Sequence, residues 1–234
     1  MNKLLIAGGA AAALAAAGAA GVYVVQNQAA GAVRAALAEN GASAAEVSYS
    51  VFSRRLALKG VAWSEGARSA EAASVEVERF ELRAFERPAD GELSAAFAAY
   101  DPARLPRVFS RAVARGVSFA EKAGGGEAVT VRADAVEAVN WHQRLGLAQA
   151  LARKHGASGP ALAEMQRYRV DSVAATGIKA AGGGAEASAA SSSFRAPAAP
   201  SAKEWAAPAD FELQGLRAKD GGGAVRLDKL EIAG

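Results

Sequence analysis

The residues of this 234-residue sequence that could do chemistry are few, and their spacing does not suit catalysis. The two histidines, His142 and His155, lie on no common helical turn and match no metal-ligand spacing. Serine is plentiful, but there is no Gly-x-Ser-x-Gly nucleophile elbow, and Ser158 lacks the preceding strand that such a site needs. A serine hydrolase is therefore the weakest function considered. No catalytic residue, metal ligand or cofactor is predicted.

Paired carboxylates and glycine triplets also favour structural roles. Glu76 and Glu78 share one face of a predicted strand at a spacing that acid–base catalysis could use. The equivalent positions of the other predicted strands are charged too, so a solvated strand face is the better interpretation. The triplets at 124–126, 182–184 and 221–223 lack the Gly-Lys-Ser/Thr of a phosphate-binding loop. They favour hairpin turns, because glycine adopts positive φ without steric cost.

Three arginines form the one predicted ligand-contact set. Arg104, Arg107 and Arg111 would line one face of a helix, a geometry that suits anionic lipid headgroups near a membrane. Arg111 also begins an alternating stretch, so the helical stripe should end after Phe109. Solvated arginines are the alternative interpretation.

The elements that position these residues are predicted to be mostly strands, because apolar positions alternate. Leu56–Trp63 and Val75–Leu82 form a first hairpin, and the pattern of its second half recurs at Val131–Ala138 and Val225–Ile232. The stretch 185–194 has little to bury, so we expect it at a sheet edge or poorly ordered.

Short helices are predicted between the hairpins. Apolar residues repeat at helical spacing in Glu92–Tyr100 and Trp141–His155, and a shorter helix is predicted from Pro160 to Arg167. The predicted fold class is α+β, mostly β. An N-terminal transmembrane helix is followed by repeated antiparallel β-hairpins forming one curved sheet, with two or three short helices.

The stretch from Leu4 to Val25 carries no charge and is long enough, at about 1.5 Å per residue, to cross a hydrocarbon core of about 30 Å. A cleavable signal peptide is the alternative, since Ala17-Gly18-Ala19 offers a small-x-small site. The apolar run continues past that site, which favours an uncleaved anchor. Lys3 on the short side predicts a single-pass anchor with the N-terminus inside and the bulk of the chain outside.

The domain prediction follows from these elements. The segments are 1–25, membrane anchor or uncleaved signal; 26–41, juxtamembrane helix; 48–195, β-hairpin repeat domain with inserted helices; 196–208, Pro/Ala linker; and 209–234, a C-terminal hairpin of the same sheet.

Composition limits the partners and the chemistry. The chain has no cysteine, which excludes disulfides, thiolate metal sites and cysteine nucleophiles. The formal net charge is only +3, and acidic and basic residues interleave along the strands, so nucleic acid is not a predicted partner. The predicted partners are a membrane through residues 4–25, a lipid or other amphiphile, and an envelope protein.

The pattern Leu56-x-Leu58-x-Gly60-Val61-x-Trp63, followed by Val75-Glu76-Val77-Glu78, resembles the AsmA-like and YdgA-like bacterial envelope proteins. The resemblance implies a single-pass bacterial inner-membrane protein with a cytoplasmic N-terminus and a periplasmic bulk. It also implies an elongated sheet whose apolar concave face holds acyl chains, and it brings no catalytic residues. This chain departs from the pattern in being shorter and in having alanine-rich faces.

The predicted function is a non-enzymatic, membrane-anchored periplasmic β-repeat protein of envelope maintenance or lipid handling. A structural or interaction module whose sheet face binds a partner protein is the alternative, and a hydrolase is the third.

Overall fold

A computed structural model describes residues 26–38, 41–81, 90–92, 95–96, 105–122, 128–143, 169–196 and 210–232. One open antiparallel sheet of nine strands accounts for most of them, and its strands follow one another in chain order. The strands are β1 (Ala42–Ser50), β2 (Arg55–Glu65), β3 (Arg68–Glu78), β4 (Arg107–Lys122), β5 (Ala128–His142), β6 (Ser172–Gly182), β7 (Ala185–Arg195), β8 (Asp210–Asp220) and β9 (Gly223–Ile232). The longest described helix, α1, covers residues 26–38, and a 3₁₀ turn covers Asp90–Glu92.

Glycine makes several of the reversals between strands. Gly183 and Gly184 join β6 to β7 with φ of +62° and +78°. In the β8–β9 turn, the Asp220 carboxylate accepts hydrogen bonds from the backbone amides of Gly222 and Gly223, at 2.8 and 2.9 Å. Tight turns of this kind allow consecutive strands to pair directly.

A second set of glycines lies inside the strands. Gly60, Gly116, Gly177 and Gly215 lie one each in β2, β4, β6 and β8, all with φ between +57° and +64°. At each glycine the pairing with both neighbouring strands is interrupted, by one residue on each strand in most pairs and by two in the β5–β6 and β7–β8 pairs. We call this line of irregular positions the glycine seam.

The seam changes which residues share a face of the sheet. A regular strand would place Leu58 and Val61 on opposite faces, because side chains alternate. Both contribute to one hydrophobic cluster, so the seam resets the alternation. Apolar residues therefore stay on one face along the whole length of β2.

The core lies on that apolar face over the first strands. Val47, Leu56, Leu58 and Val77 are buried there against Ala30 and Val33 of α1, together with Phe80 and Val108. The rings of Tyr49 and Phe80 meet edge to face, with centroids 6.1 Å apart. Helix α1 thus covers the N-terminal end of the sheet.

The predicted α+β class is wrong, since the described chain is one antiparallel sheet with little helix. Trp141 and His142, expected to begin a helix, instead end β5. Trp141 stacks on Phe109 of β4 with ring centroids 6.1 Å apart, and this pairing outweighs the helical spacing of the local sequence. Most of the predicted helix 92–100 and the segments 144–155 and 160–167 lie outside the described residues.

The predicted transmembrane helix falls outside the part of the chain that the structure describes. No helix among the described residues is long and apolar enough to cross a bilayer. The stretch from Leu4 to Val25, on which that prediction was based, lies outside the described residues, as does most of the predicted linker 196–208.

The expected position of strand 185–194 is also wrong. This stretch forms β7, which lies inside the sheet between β6 and β8. Backbone hydrogen bonding on both sides holds it there. Its small side chains do not prevent this, because ladder bonds do not depend on what the side chains bury.

Candidate functional site

The apolar face of the sheet carries two rows of registered residues, each crossing all nine strands. The first row, from β1 to β9, is Val47, Leu58, Val75, Ala114, Val136, Ala175, Ser192, Leu213 and Leu230. The second row is Tyr49, Leu56, Val77, Ala112, Ala138, Val173, Phe194, Phe211 and Ile232. Neighbouring strands lie about 4.8 Å apart, so each row is a continuous strip about 38 Å long.

The two ends of this face differ in how well they are covered. Leu56, under α1, is only 3% exposed, whereas Leu230 and Ile232 on β9 are 38% and 53% exposed. Isolated exposed apolar residues are ordinary, but a contiguous exposed patch marks an interaction site. We call the C-terminal part of this face the open apolar face; its residues are Val173, Phe194, Phe211, Leu213, Leu230 and Ile232.

On the opposite, polar face, several cations of the N-terminal strands lie against acidic residues. Lys59 Nζ is 2.7 Å from Glu46 Oε2, and Arg55 bonds Glu76. Arg111 donates hydrogen bonds from Nε and Nη2 to the two carboxylate oxygens of Glu137, both at 2.9 Å. The hydrogen bonds from Arg111 hold the pKa of the Glu137 carboxyl below its usual value. Charge on this part of the face is therefore largely matched.

The predicted headgroup-contact arginines lie on a strand, with Arg104 outside the described residues. Arg107 begins β4 and is half-buried, and its Nε is buried without a hydrogen-bond partner. Arg111 is further along β4, and its guanidinium bonds Glu137. The headgroup contact at Arg104, Arg107 and Arg111 stays a prediction.

His142 is held in a small polar cluster at the end of β5. Its Nδ1 lies 2.9 Å from the carbonyl oxygen of Asn140, and Arg169 Nη2 lies 3.3 Å from its Nε2. Burial, followed by repulsion from Arg169, lowers the pKa of the imidazole, so the neutral ring is favoured. Within the described ranges no group of three His, Cys, Asp or Glu side chains could hold a metal ion. His155 lies outside those ranges.

The feature that the sequence did not predict is on the C-terminal half of the polar face. Arg132, Lys179, Ser188, Arg217 and Arg226 stand side by side across β5 to β9. No local signal marks this row, because its members come from five separate strands. The register alone brings them together.

The chain has few recognisable relatives among known proteins. No protein-family model matches the chain, and no curated protein matches it. Among solved structures, the chain is similar to LptH, the LptA-homologous periplasmic component of the lipopolysaccharide transport device from Pseudomonas aeruginosa. The identity is 8% and the TM-score 0.30, over 73% of this chain and 91% of that one. At that TM-score, neither the fold nor the function of LptH is carried over to this chain, and the AsmA-like and YdgA-like resemblance stays a prediction.

Proposed function

We propose that the protein is a non-enzymatic binding protein of the bacterial envelope that holds the acyl chain of an amphiphile on its open apolar face. The observation that supports this most directly is the registered pairing of half-buried apolar residues of β8 with exposed apolar residues of β9. Phe211 lies opposite Ile232, and Leu213 lies opposite Leu230. Together they make a strip that runs across the strands.

The physical chemistry of the strip suits a hydrocarbon chain. An acyl chain has no hydrogen-bonding groups to satisfy, so a strip of aliphatic and aromatic side chains can cover it without an energetic penalty. Burying a fully exposed Leu or Ile side chain stabilises a complex by about 1.5 to 3 kcal/mol. Among the residues that strands β6 to β9 contribute to the two rows, Ser192 is the one polar residue.

A periplasmic location belongs to the same proposal. It rests on the resemblance of the first hairpin, Leu56–Trp63 and Val75–Leu82, to envelope proteins. An amphiphile with a long apolar chain is the kind of ligand that the envelope contains. The non-enzymatic part rests on the sequence, whose histidines lack metal-ligand spacing and whose serines lack a nucleophile elbow.

A fluorescent fatty acid, cis-parinaric acid, tests the open apolar face. We expect it to bind the full chain. We expect the variant Leu230→Ser with Ile232→Ser to bind roughly thirtyfold more weakly, since each substitution removes about 1 kcal/mol of apolar contact. The matched control is Phe52→Ser, in the turn between β1 and β2, whose side chain is 82% exposed and distant in sequence from the strip. The control should bind like the parent.

Circular dichroism spectra must show that all three proteins keep the same β content. Equal binding of the fatty acid by the parent and the double variant would rule out the open apolar face as the site. Absence of binding to the parent would rule out the function itself.

A second candidate, the interaction module, is favoured by the outer edge of β9. No described strand pairs with that edge, and all ten residues of β9 are exposed. A partner could extend the sheet there by adding a strand. Hydrogen exchange separates the two functions, because a partner strand would slow exchange of β9 amides without displacing the fatty acid.

A further inference from the structure

The polar face carries a row of cations on the C-terminal strands. Arg132 of β5 is registered with Lys179 of β6, and Lys179 with Ser188 of β7. Ser188 is in turn registered with Arg217 of β8, and Arg217 with Arg226 of β9. All four cationic side chains are exposed. We call Arg132, Lys179, Arg217 and Arg226 the cationic row.

This row departs from the charge pattern at the other end of the polar face. Like charges on directly opposite cross-strand positions destabilise a sheet. Both Arg132–Lys179 and Arg217–Arg226 are such pairs. Only Arg226 contacts a carboxylate, that of Asp228 at 3.1 Å, and no ion pair joins the other three to an acid in the described part of the chain. The arrangement therefore has unused positive charge.

A groove lies over the same residues. It has a volume of about 840 Å³, spans β5 to β9, and is lined by all four members of the cationic row together with Ser188. Lys219 and Glu186 also line it. Pockets for small ligands commonly measure about 300 to 1,000 Å³, so the space suits a headgroup or a small organic phosphate.

We propose that the cationic row binds a ligand that carries at least two phosphate groups. Strands lie about 4.8 Å apart, so the backbones of the Arg132–Lys179 pair and of the Arg217–Arg226 pair are centred about 14 Å from each other. The four long side chains line one groove, so phosphates that are closer together than this can still reach both pairs. Two cations facing one phosphate can form charge-assisted hydrogen bonds to several of its oxygens. Ser188 lies between the pairs, where its hydroxyl can bond the part of the ligand that joins the phosphates.

The source of the phosphates can be a soluble phosphate ester or a phospholipid surface, and the recognition chemistry is the same. Ala133 is registered, through Val117 and Ala72, with Val61, which packs against the hydrophobic cluster. Its neighbour in β5, Arg132, therefore lies on the face opposite the open apolar face. The phosphate site is therefore independent of the acyl-chain site, and either can fail without the other.

Two probes test the site on the full chain. Inorganic tripolyphosphate represents the soluble source, and vesicles of phosphatidylcholine with or without phosphatidic acid represent the lipid surface. We expect Lys179→Gln and Arg217→Gln each to weaken binding about fivefold, and binding to weaken with added salt because exposed charges are screened. The matched control is Lys59→Gln, a cation of the same face that is paired with Glu46, which should change binding less than about twofold.

The midpoint of thermal unfolding, measured without phosphate, tests whether the like charges of the cationic row destabilise the sheet. We expect Arg217→Gln to keep or raise the midpoint, because it removes a like-charge pair, while Lys59→Gln should lower it slightly. Variants that fail to fold would show a lowered midpoint and lost β signal, so a folding defect is distinguishable from lost binding.

The outcomes separate as follows. Binding of tripolyphosphate that Lys179→Gln weakens assigns soluble phosphate esters, and binding only to phosphatidic acid vesicles assigns a lipid headgroup. No binding of either probe, or equal weakening by Lys59→Gln, overturns the proposal. Tighter binding of a DNA duplex than of either probe also overturns it. The Leu230→Ser with Ile232→Ser variant should bind tripolyphosphate like the parent, whatever becomes of its fatty-acid binding.

Discussion

At the residue scale, exposure decides what each charge can contribute. The Arg111 and Glu137 side chains pair through two hydrogen bonds, yet they remain 46% and 37% exposed. Exposed pairs contribute at most about 1 kcal/mol, since water screens the charges and ordering two side chains opposes the gain. The ion pairs of the polar face therefore add little to the stability of the sheet.

His142 gives a testable pH dependence. Its folded-state pKa is lowered by burial and by Arg169, whereas the unfolded value is about 6.5. As pH falls through that unfolded value, the unfolded chain binds a proton that the folded chain resists, so the free energy of unfolding decreases. We expect His142→Gln to lose less stability than the parent between about pH 8 and about pH 5, as measured by urea unfolding.

Carboxylates also titrate toward the acidic end of that range, so the difference between the two proteins is the relevant quantity. The parent and His142→Gln should share the carboxylate contribution. Identical pH profiles for the two would contradict the lowered pKa.

At the element scale, the glycine seam determines how the strands present their side chains. Gly116 in β4 has φ of +60°, and a Cβ added there would lie 3.1 Å from the Cβ of Ala73 on β3. Gly60 faces Ala45 in the same way, at 3.1 Å. Only glycine combines this conformation with so close an approach of the neighbouring strand.

We expect Gly116→Ala to destabilise the protein by about 2 to 3 kcal/mol, from the left-handed conformation and from crowding against Ala73. Gly183→Ala is the matched control, since Gly183 has φ of +62° with nothing within 4 Å of the added Cβ. It should lose only about 1 kcal/mol. Urea unfolding of both variants measures the cost of the left-handed conformation, which they share, and the cost of crowding, which only Gly116→Ala carries.

A double-mutant cycle with Ala73→Gly isolates the crowding. If close approach matters, Gly116→Ala should be less harmful when residue 73 is glycine. A coupling energy near zero would show that the backbone conformation alone accounts for the destabilisation by Gly116→Ala.

At the scale of the whole molecule, stability should fall along the sheet from β1 to β9. The buried cluster under α1 stabilises the first strands, whereas every residue of β9 is exposed. An edge strand without burial on either face opens at a lower free energy than a covered one. The part of the sheet that opens easily is the part proposed to bind ligand.

Two truncations on the same face test this gradient. Leu56→Ala should lower the free energy of unfolding by about 2 to 5 kcal/mol, because it leaves a cavity in a packed core. Leu230→Ala, at a position 38% exposed, should lower it by about 1 kcal/mol or less. Urea unfolding gives both values, and hydrogen exchange should find β9 amides less protected than those of β3 and β4. Equal losses would show that the open apolar face is covered in solution.

What the sequence could predict was local. Alternation placed strands at Leu56–Trp63, Val131–Ala138 and Val225–Ile232, all of which lie inside β2, β5 and β9. The glycine triplets at 182–184 and 221–223 lie where hairpins turn. These signals work because side-chain period and positive φ are properties of a residue and its chain neighbours.

The predictions from sequence were wrong where residues distant in the chain determine the structure. Trp141 has helical spacing with later residues, but stacking on Phe109 and pairing with β4 keep it in a strand. The residues of β7 have little to bury, but two neighbouring strands hold its backbone inside the sheet. Long-range backbone pairing overrides local preference in both cases.

By itself, then, the sequence determined the strands at Leu56–Trp63, Val131–Ala138 and Val225–Ile232 and the hairpin turns at 182–184 and 221–223. Only the tertiary structure decided the strand order, which end of the apolar face α1 covers, and the alignment of Arg132, Lys179, Arg217 and Arg226 into one row. The physical reason is that register is fixed by hydrogen bonds between strands, and no single strand contains that information.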